Sequence, residues 1–214
     1  MNHTLPMIGA PLPRTNLSMS ISADGYVAGP HQSQEHPLGI GGQLLHGWHF
    51  GEAAEHPANR QVATEMMDDM GATIMGRNMF GPVRGEWGDS DWTGWWGDEP
   101  PYHCPVFVLT HHAREPIPMA GGTTFHFVTD GIESAYAQAR EVAGDRPISI
   151  AGGASCGRQA IQAGIVTEID LQVSPVILGS GERLFDGLDG SITLELERVL
   201  EAPGVAHLRY RVLR

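Results

Sequence analysis

Cysteine is scarce in this chain of 214 residues: there are two, Cys104 and Cys156, far apart in sequence. That count excludes a disulfide framework and fits a reducing compartment, so a cytoplasmic location is expected. Basic side chains are also few, thirteen against twenty-five acidic, which leaves a formal charge of −12. Such a balance excludes a bare polyanion surface, whether nucleic acid or acidic membrane, as a general partner, while a small anion in one local pocket stays open. No apolar run exceeds strand length, which excludes a bilayer-spanning helix. The first residues, Met1 to Pro13, show no basic region followed by a continuous apolar stretch. With Pro6, Pro11 and Pro13 they are expected to form an extended lead-in to a single domain over 14–214. Zinc and nucleotide-loop signatures are missing too: there is no HExxH, no CxxC, and no lysine followed by Ser or Thr after a glycine-rich turn. The eleven histidines therefore read as solvated, and no metal site is expected.

Glycine (28) and proline (15) are abundant and cut the chain into short elements. Alternating apolar and β-branched residues predict eight strands, at Arg14–Ser22, Ala72–Gly76, Pro105–Thr110, Thr124–Thr129, Pro147–Ala151, Glu168–Ser174, Ser191–Val199 and Val205–Val212. Helical spacing of apolar residues predicts helices over Pro57–Met70, Ile132–Ala143 and Ser155–Ala163. Strands alternating with helices, followed by strands alone, predict an α/β sheet that begins with crossovers and ends antiparallel. Gly29–His56 and Gly81–His103 fit neither period. The second concentrates Trp87, Trp92, Trp95 and Trp96, so both are read as ordered insertions over a cleft, against surface padding or an oligomer contact.

Two motifs point to an anionic ligand. In Ile148–Ser155, ISIAGGAS, a strand runs through Gly152 and Gly153 into a helix whose first N–H groups can meet a phosphate, and Ser155 can act as N-cap or hydroxyl donor. In Ala72–Phe80, ATIMGRNMF, Arg77 stands at a helix start beside Gly76. An ordinary tight turn and a solvent-facing arginine remain the competing readings. Val106–His112, VFVLTHH, delivers Thr110, His111 and His112 into a loop with Arg114. Cys156 at a helix start is read as a small helix residue rather than a nucleophile.

In order along the chain, SMSISADGYVAGP (18–30), IMGRNMF (74–80), VFVLT (106–110), IAGGAS (150–155) and IDLQVSPVILGSGERLF (169–185) resemble the dihydrofolate reductase-like family. The branch resembled is the reductase domain of bacterial riboflavin-biosynthesis deaminase-reductases, as a stand-alone member. The resemblance implies a three-layer α/β fold with a central eight-stranded, mostly parallel sheet, antiparallel C-terminal strands and flanking helices. It implies NADPH as cofactor and hydride transfer to a small planar unsaturated, pterin- or pyrimidine-like heterocycle. By the same resemblance, Gly76, Arg77, Asn78 and Met79 hold the adenosine-side phosphates, and Gly152, Gly153, Ala154 and Ser155 the pyrophosphate. Thr110 and His111 stand beside the 2′-phosphate, where Arg77 with His111, His112 or Arg114 selects NADPH over NADH. Ala23, with Asp24 and Gly25, lines the nicotinamide; Leu178, Gly179 and Gly181 pack nearby.

Dihydrofolate reductases place a carboxylate near the start of the helix before the IMGR strand, whereas this chain reads Pro57-Ala58-Asn59-Arg60, with Glu55 and Glu65 on either side. Asp24, Glu65 or a water is expected to relay the proton. Trp48, Phe50 and Trp87 are expected lid residues over a planar substrate. A small-molecule substrate and a homodimer complete the expectation. The alternatives are a dihydrofolate reductase, a 5-amino-6-(5-phosphoribosylamino)uracil reductase, and a module that binds NADPH without turnover.

Overall fold

The computed structural model describes residues 13–82 and 84–213. The expected lead-in thus lies, but for Pro13, outside the described residues. Every one of the eight expected strands forms: β1 (Thr15–Ser22), β3 (Ala72–Gly76), β4 (Pro105–Leu109), β6 (Thr124–Val128), β7 (Ile148–Gly152), β8 (Glu168–Ser174), β10 (Thr193–Ala202) and β11 (Val205–Leu213). The chain order is completed by three short strands that apolar alternation is too brief to reveal, β2 (Tyr26–Ala28), β5 (Ile117–Pro118) and β9 (Glu182–Arg183). β5 makes the main sheet nine-stranded, in the order β10-β11-β8-β1-β7-β3-β4-β6-β5, while β2 and β9 pair separately. The six strands from β8 to β6 are mutually parallel; β11 and β5 pair antiparallel to them at the margins, and β10 pairs antiparallel to β11.

The helices follow the apolar spacing that predicts them. α4 (Ile132–Ala143) buries Ile132, Ala135, Tyr136 and Ala139, and α5 (Ala154–Gln162) buries Cys156, Ala160 and Ile161. Both join one core with Leu17, Met19, Ile74, Phe107, Ile148 and Ile150. α2 (Pro57–Met67) stops three residues before the expected Met70, with Asp68 extended at its end. Within Gly29–His56 the chain forms a 3-10 helix over Gly42–His49 and a one-turn α1 (Gly51–Ala54), elements too short for a periodicity to mark. α3 (Arg77–Phe80) is likewise a single turn, and its Phe80 sits in a second core with Met75, Trp87, Tyr102, Val106, Val108 and Phe125.

β1 has two chemically different faces, both buried. Leu17, Met19 and Ile21 face the helices, while Asn16, Ser18, Ser20 and Ser22 alternate onto the other side. There the cover of α2 and the 3-10 helix is held by polar bonds rather than oil. Asn16 Nδ2 donates to Asp170 Oδ2 at 3.0 Å, and Arg209 donates to both Asp170 oxygens and to Glu65 Oε2 at 2.8 Å. Arg198 donates to both Glu65 oxygens at 2.8 and 2.6 Å, tying α2 to β10. Asn59 accepts from His207 at 2.7 Å and donates to the Ala53 carbonyl at 2.7 Å, and Trp48 Nε1 donates to Ser20 Oγ at 3.1 Å.

The Arg198 bonds, with help from Gln61 and the Arg209 charge, hold the Glu65 carboxyl down to about 2 from its usual 4.5. A depressed carboxyl contributes stability that is complete above its unfolded value and disappears as pH falls through the folded one. Glu65→Gln is expected to cost roughly 1–3 kcal/mol at pH 7, between the exposed and fully buried limits for an ion pair. Denaturant titration should show this deficit shrinking between pH 4.5 and about 2; a pH-independent deficit would assign the loss to packing.

Candidate functional site

Because six neighbouring strands are parallel, their C-terminal ends share one edge of the sheet, and the helices that follow β3 and β7 start there. A cleft of about 850 Å³ crosses this edge. Strand order fixes which residues lie at which end. Ser18 and Ser20 of β1 mark one end, the Gly153–Ser155 turn after β7 the middle, and Thr110 to His112 after β4 with Thr129 after β6 the other.

At the β4–β6 end Arg77 leads. Its Nη1 donates to Thr110 Oγ1 at 2.9 Å, its Nη2 to the Gly85 carbonyl at 3.2 Å, and its guanidinium lies 3.1 Å above the centre of the Trp87 ring. Burial, and then the positive charges of Arg114 and Arg84, lower it to about 10, so it remains a cation at neutral pH. Its Nε is buried and has no hydrogen-bond partner among the described residues. Arg84, which no sequence motif marks, also lines the cleft; burial lowers its pKa while Glu182 opposes the shift. His111 lines this end and is exposed. His112 lines it too, with Nδ1 paired to Glu86 at 3.0 Å. Arg114 does not reach the lining: it donates to the carbonyls of Trp92 (2.7 Å) and Ser90 (3.2 Å), which anchors the tryptophan insertion.

In the middle, α5 starts at Ala154 with Gly153 as N-cap and no side chain bonding its first N–H groups. Of the two roles open to Ser155, that of N-cap falls away: Ser155 is already inside the helix, and its Oγ accepts from Gln159 at 3.2 Å. No acidic residue occupies the first turn, so the positive end of the helix faces the cleft uncompensated. Gly153, Ala154 and Ser155 line it, as do Gly76, Arg77, Asn78, Met79, Thr110 and His111. Gly152 lies just beneath, at φ +112, where an added Cβ would sit 2.8 Å from Met19 Sδ. Cys156 is buried, and burial pushes its thiol up to about 12, as a small structural residue rather than a nucleophile.

Six expected site residues lie elsewhere. Ala23 is exposed off the cleft, its N–H bonded to the Val176 carbonyl at 2.9 Å. Asp24 accepts from Ser22 Oγ (2.6 Å) and from the N–H groups of Leu178 (3.1 Å) and Gly179 (2.8 Å). These bonds, that to Ser22 first, lower its carboxyl to about 2, so it clamps a turn and has no proton to give at neutral pH. Glu65 is outside the lining, committed to Arg198 and Arg209. Trp48 is not a lid but an interior support, 1% exposed, beneath Ser20 and stacked on His49 at 3.5 Å between ring centres. Phe50 is 68% exposed and off the cleft, and Trp87 is buried as the platform under Arg77. Trp95 and Trp96 are the tryptophans that border the opening. His46 and His49, which the sequence offers only as a weak metal pair, line the cleft, as do Met66 and Gln159, which no sequence motif marks. Among the described residues no three His, Cys, Asp or Glu side chains converge on a possible metal position, and no helix is long and apolar enough to cross a membrane.

The family model of the RibD C-terminal domain matches residues 13–208. No curated protein sequence matches the chain. Among solved structures, a Shewanella sp. PV-4 protein named for riboflavin biosynthesis superposes with TM-score 0.65 at 20% identity, over 94% of this chain and 99% of that one. A pyrimidine reductase-like protein of Corynebacterium diphtheriae gives 0.59 at 15% identity, over 94% and 92%. The riboflavin biosynthesis reductase of Saccharomyces cerevisiae gives 0.56 at 11%, over 97% and 93%. At these identities the structures share a fold with this chain.

Gly152→Ala is expected to lose roughly 1–3 kcal/mol, through a positive φ and a clash with Met19. Gly153→Ala, at φ −73 with nothing within 4 Å of the added Cβ, should stay within about 0.5 kcal/mol of the parent. Thermal melts of both variants check the contrast, and equal melting temperatures would contradict it.

Proposed function

The chain belongs to the RibD C-terminal domain family, and from that premise we propose that it is an NADPH-dependent reductase of a small planar unsaturated heterocycle. One observation carries the reading. A single open cleft joins an orphaned, buried arginine nitrogen at one end to an uncapped helix N-terminus at its middle. Both features call for an anion, and one dinucleotide carries phosphate groups for both. In a chain of net charge −12, such a concentration of positive potential is local and specific to the site.

NADPH, when bound, supplies a hydride and is left oxidised, while a proton from solvent or a side chain completes the reduced product. The chain's own residues do the positioning. Arg77, presented flat by the Trp87 ring and fixed through Thr110, offers its guanidinium to the phosphate at the adenosine end. Gly153, Ala154 and Ser155 offer main-chain N–H groups to the pyrophosphate. At the β1 end Met19 would form the floor under the nicotinamide, and Leu38 and Met66 would help exclude water.

Folate is the less favoured substrate. The helix position at which a pterin amidine would find a carboxylate is held by Asn59, buried and bonded to His207 and Ala53. Glu182, the one carboxylate among the described lining residues, lies within Coulombic reach of Arg84.

Arg77→Ala is expected to weaken NADPH by about 1–3 kcal/mol while NADH changes little, as for loss of a charge-assisted phosphate contact. Titration of both cofactors by tryptophan fluorescence checks this, and equal losses would place Arg77 on a phosphate common to the two. The same preparations, incubated with NADPH and dihydrofolate, should show no fall in the nicotinamide absorbance; consumption would make folate the substrate.

A further inference from the structure

The β1 end of the cleft differs in kind from the arginine end. Its polar lining consists of Ser18 and Ser20 on the sheet, Gln32 on the following loop, and His46 and His49 on the 3-10 helix. The one carboxylate among the described lining residues, Glu182, pairs in β9 with Ala28 beside this end and has Arg84 within Coulombic reach, while the nearby Arg198 and Arg209 are consumed by Glu65 and Asp170.

The hydrogen-bond directions there are partly fixed. Ser18 Oγ accepts from Gln172 Nε2 at 3.2 Å, and Ser20 Oγ accepts from Trp48 Nε1 at 3.1 Å. With an acceptor position filled on each, and no acceptor for either hydroxyl hydrogen among the described residues, both serines are left to donate into the cleft. They alternate on one strand face, so their donors stand about 7 Å apart. Opposite them, the His46 and His49 rings lie nearly parallel, 6.3 Å between centres, and His49 is locked against the Trp48 face. Neither imidazole bonds a described residue. Burial lowers both histidines, His49 to about 4 with the His46 and His207 charges assisting, so at neutral pH each ring is an uncharged donor and acceptor.

We propose that Ser18, Ser20, His46 and His49 form the substrate-recognition end of the cleft, and that it selects an uncharged ring compound with carbonyl groups, carrying no phosphate arm. The inference rests on the reductase reading for the identity of the other end. The serine hydroxyls donate to ring carbonyl oxygens, and the imidazoles supply the matching donor and acceptor at the ring's edge. A phosphate in this position would be desolvated against two neutral rings and would meet the Glu182 carboxylate, whose charge Arg84 already answers. This end therefore discriminates against charge rather than merely tolerating its absence.

The test is calorimetric titration of the full chain, with and without saturating NADP+, using lumazine and uridine as uncharged dicarbonyl probes and uridine 5′-monophosphate as the charged counterpart. At least one uncharged probe should bind saturably, and the monophosphate should bind no more tightly than uridine. His49→Phe keeps the stacking on Trp48 but removes both ring nitrogens, and should weaken the uncharged probe about tenfold, the scale of one or two lost hydrogen bonds. His46→Ala, at a partly exposed position, should do the same without disturbing that stack. NADP+ affinity, measured separately, should be unchanged in both variants. Failure of both uncharged probes, tenfold tighter binding of the monophosphate than of uridine, or unaltered probe affinity in both histidine variants would each overturn the proposal. Loss of NADP+ binding in the parent protein would instead overturn the reductase reading, and the probe titration without cofactor would still decide this one.

Discussion

The parallel run of six strands is the constraint on which the rest of the structure depends. Parallel pairing needs a crossover between strands, and each crossover here begins at the same sheet edge. That edge collects the strand ends of β1, β7, β3, β4 and β6, the start of α5 and the Arg77 turn. None of these is a binding feature alone. Brought onto one line by the sheet, they make an elongated cleft with an ordered sequence of chemical environments.

Electrostatics divides that cleft. At the β4–β6 end, Arg77 and Arg84 are both partly desolvated, and the charges of Arg114 and Arg84 further lower the Arg77 pKa, a cost that an arriving anion relieves. The tryptophan insertion maintains the arrangement: Trp87 supports Arg77 and donates Nε1 to the His112 carbonyl at 2.9 Å, while Arg114 ties Trp92 and Ser90 down. At the β1 end the cations are already neutralised within the polar layer beneath α2. Glu65, Arg198, Arg209 and Asp170 are therefore structural, and their mutual pairing is what leaves the adjoining surface neutral.

Much of the fold was legible in sequence because it rests on local periodicity. Leu17, Met19 and Ile21 alternate as a strand must, and Ile132, Ala135, Tyr136 and Ala139 repeat as a helix face must. The glycine pair and Arg77 were legible for a related reason: a strand running into a helix sets its own geometry over a few residues. Asp24 and Glu65 as proton relays, and the lid residues, lie elsewhere than expected because their placement depends on distant partners. Nothing near Glu65 in sequence announces Arg198 and Arg209, and nothing near Asp24 announces the Leu178–Gly179 turn that it caps. Trp48 and Phe50 stand two residues apart, yet one is interior and the other in water, because a 3-10 helix only eight residues long sets their directions. His46 and His49 were hidden among eleven histidines, and only the fold separates them from the rest.

The most direct measurement is a crystal structure of the protein grown with NADP+. The dinucleotide is expected along the C-terminal strand ends, with the pyrophosphate on the N–H groups of Gly153–Ser155, the 2′-phosphate within hydrogen-bond distance of Arg77 and the nicotinamide toward Met19. A dinucleotide bound in the reverse direction, or outside this cleft, would contradict it.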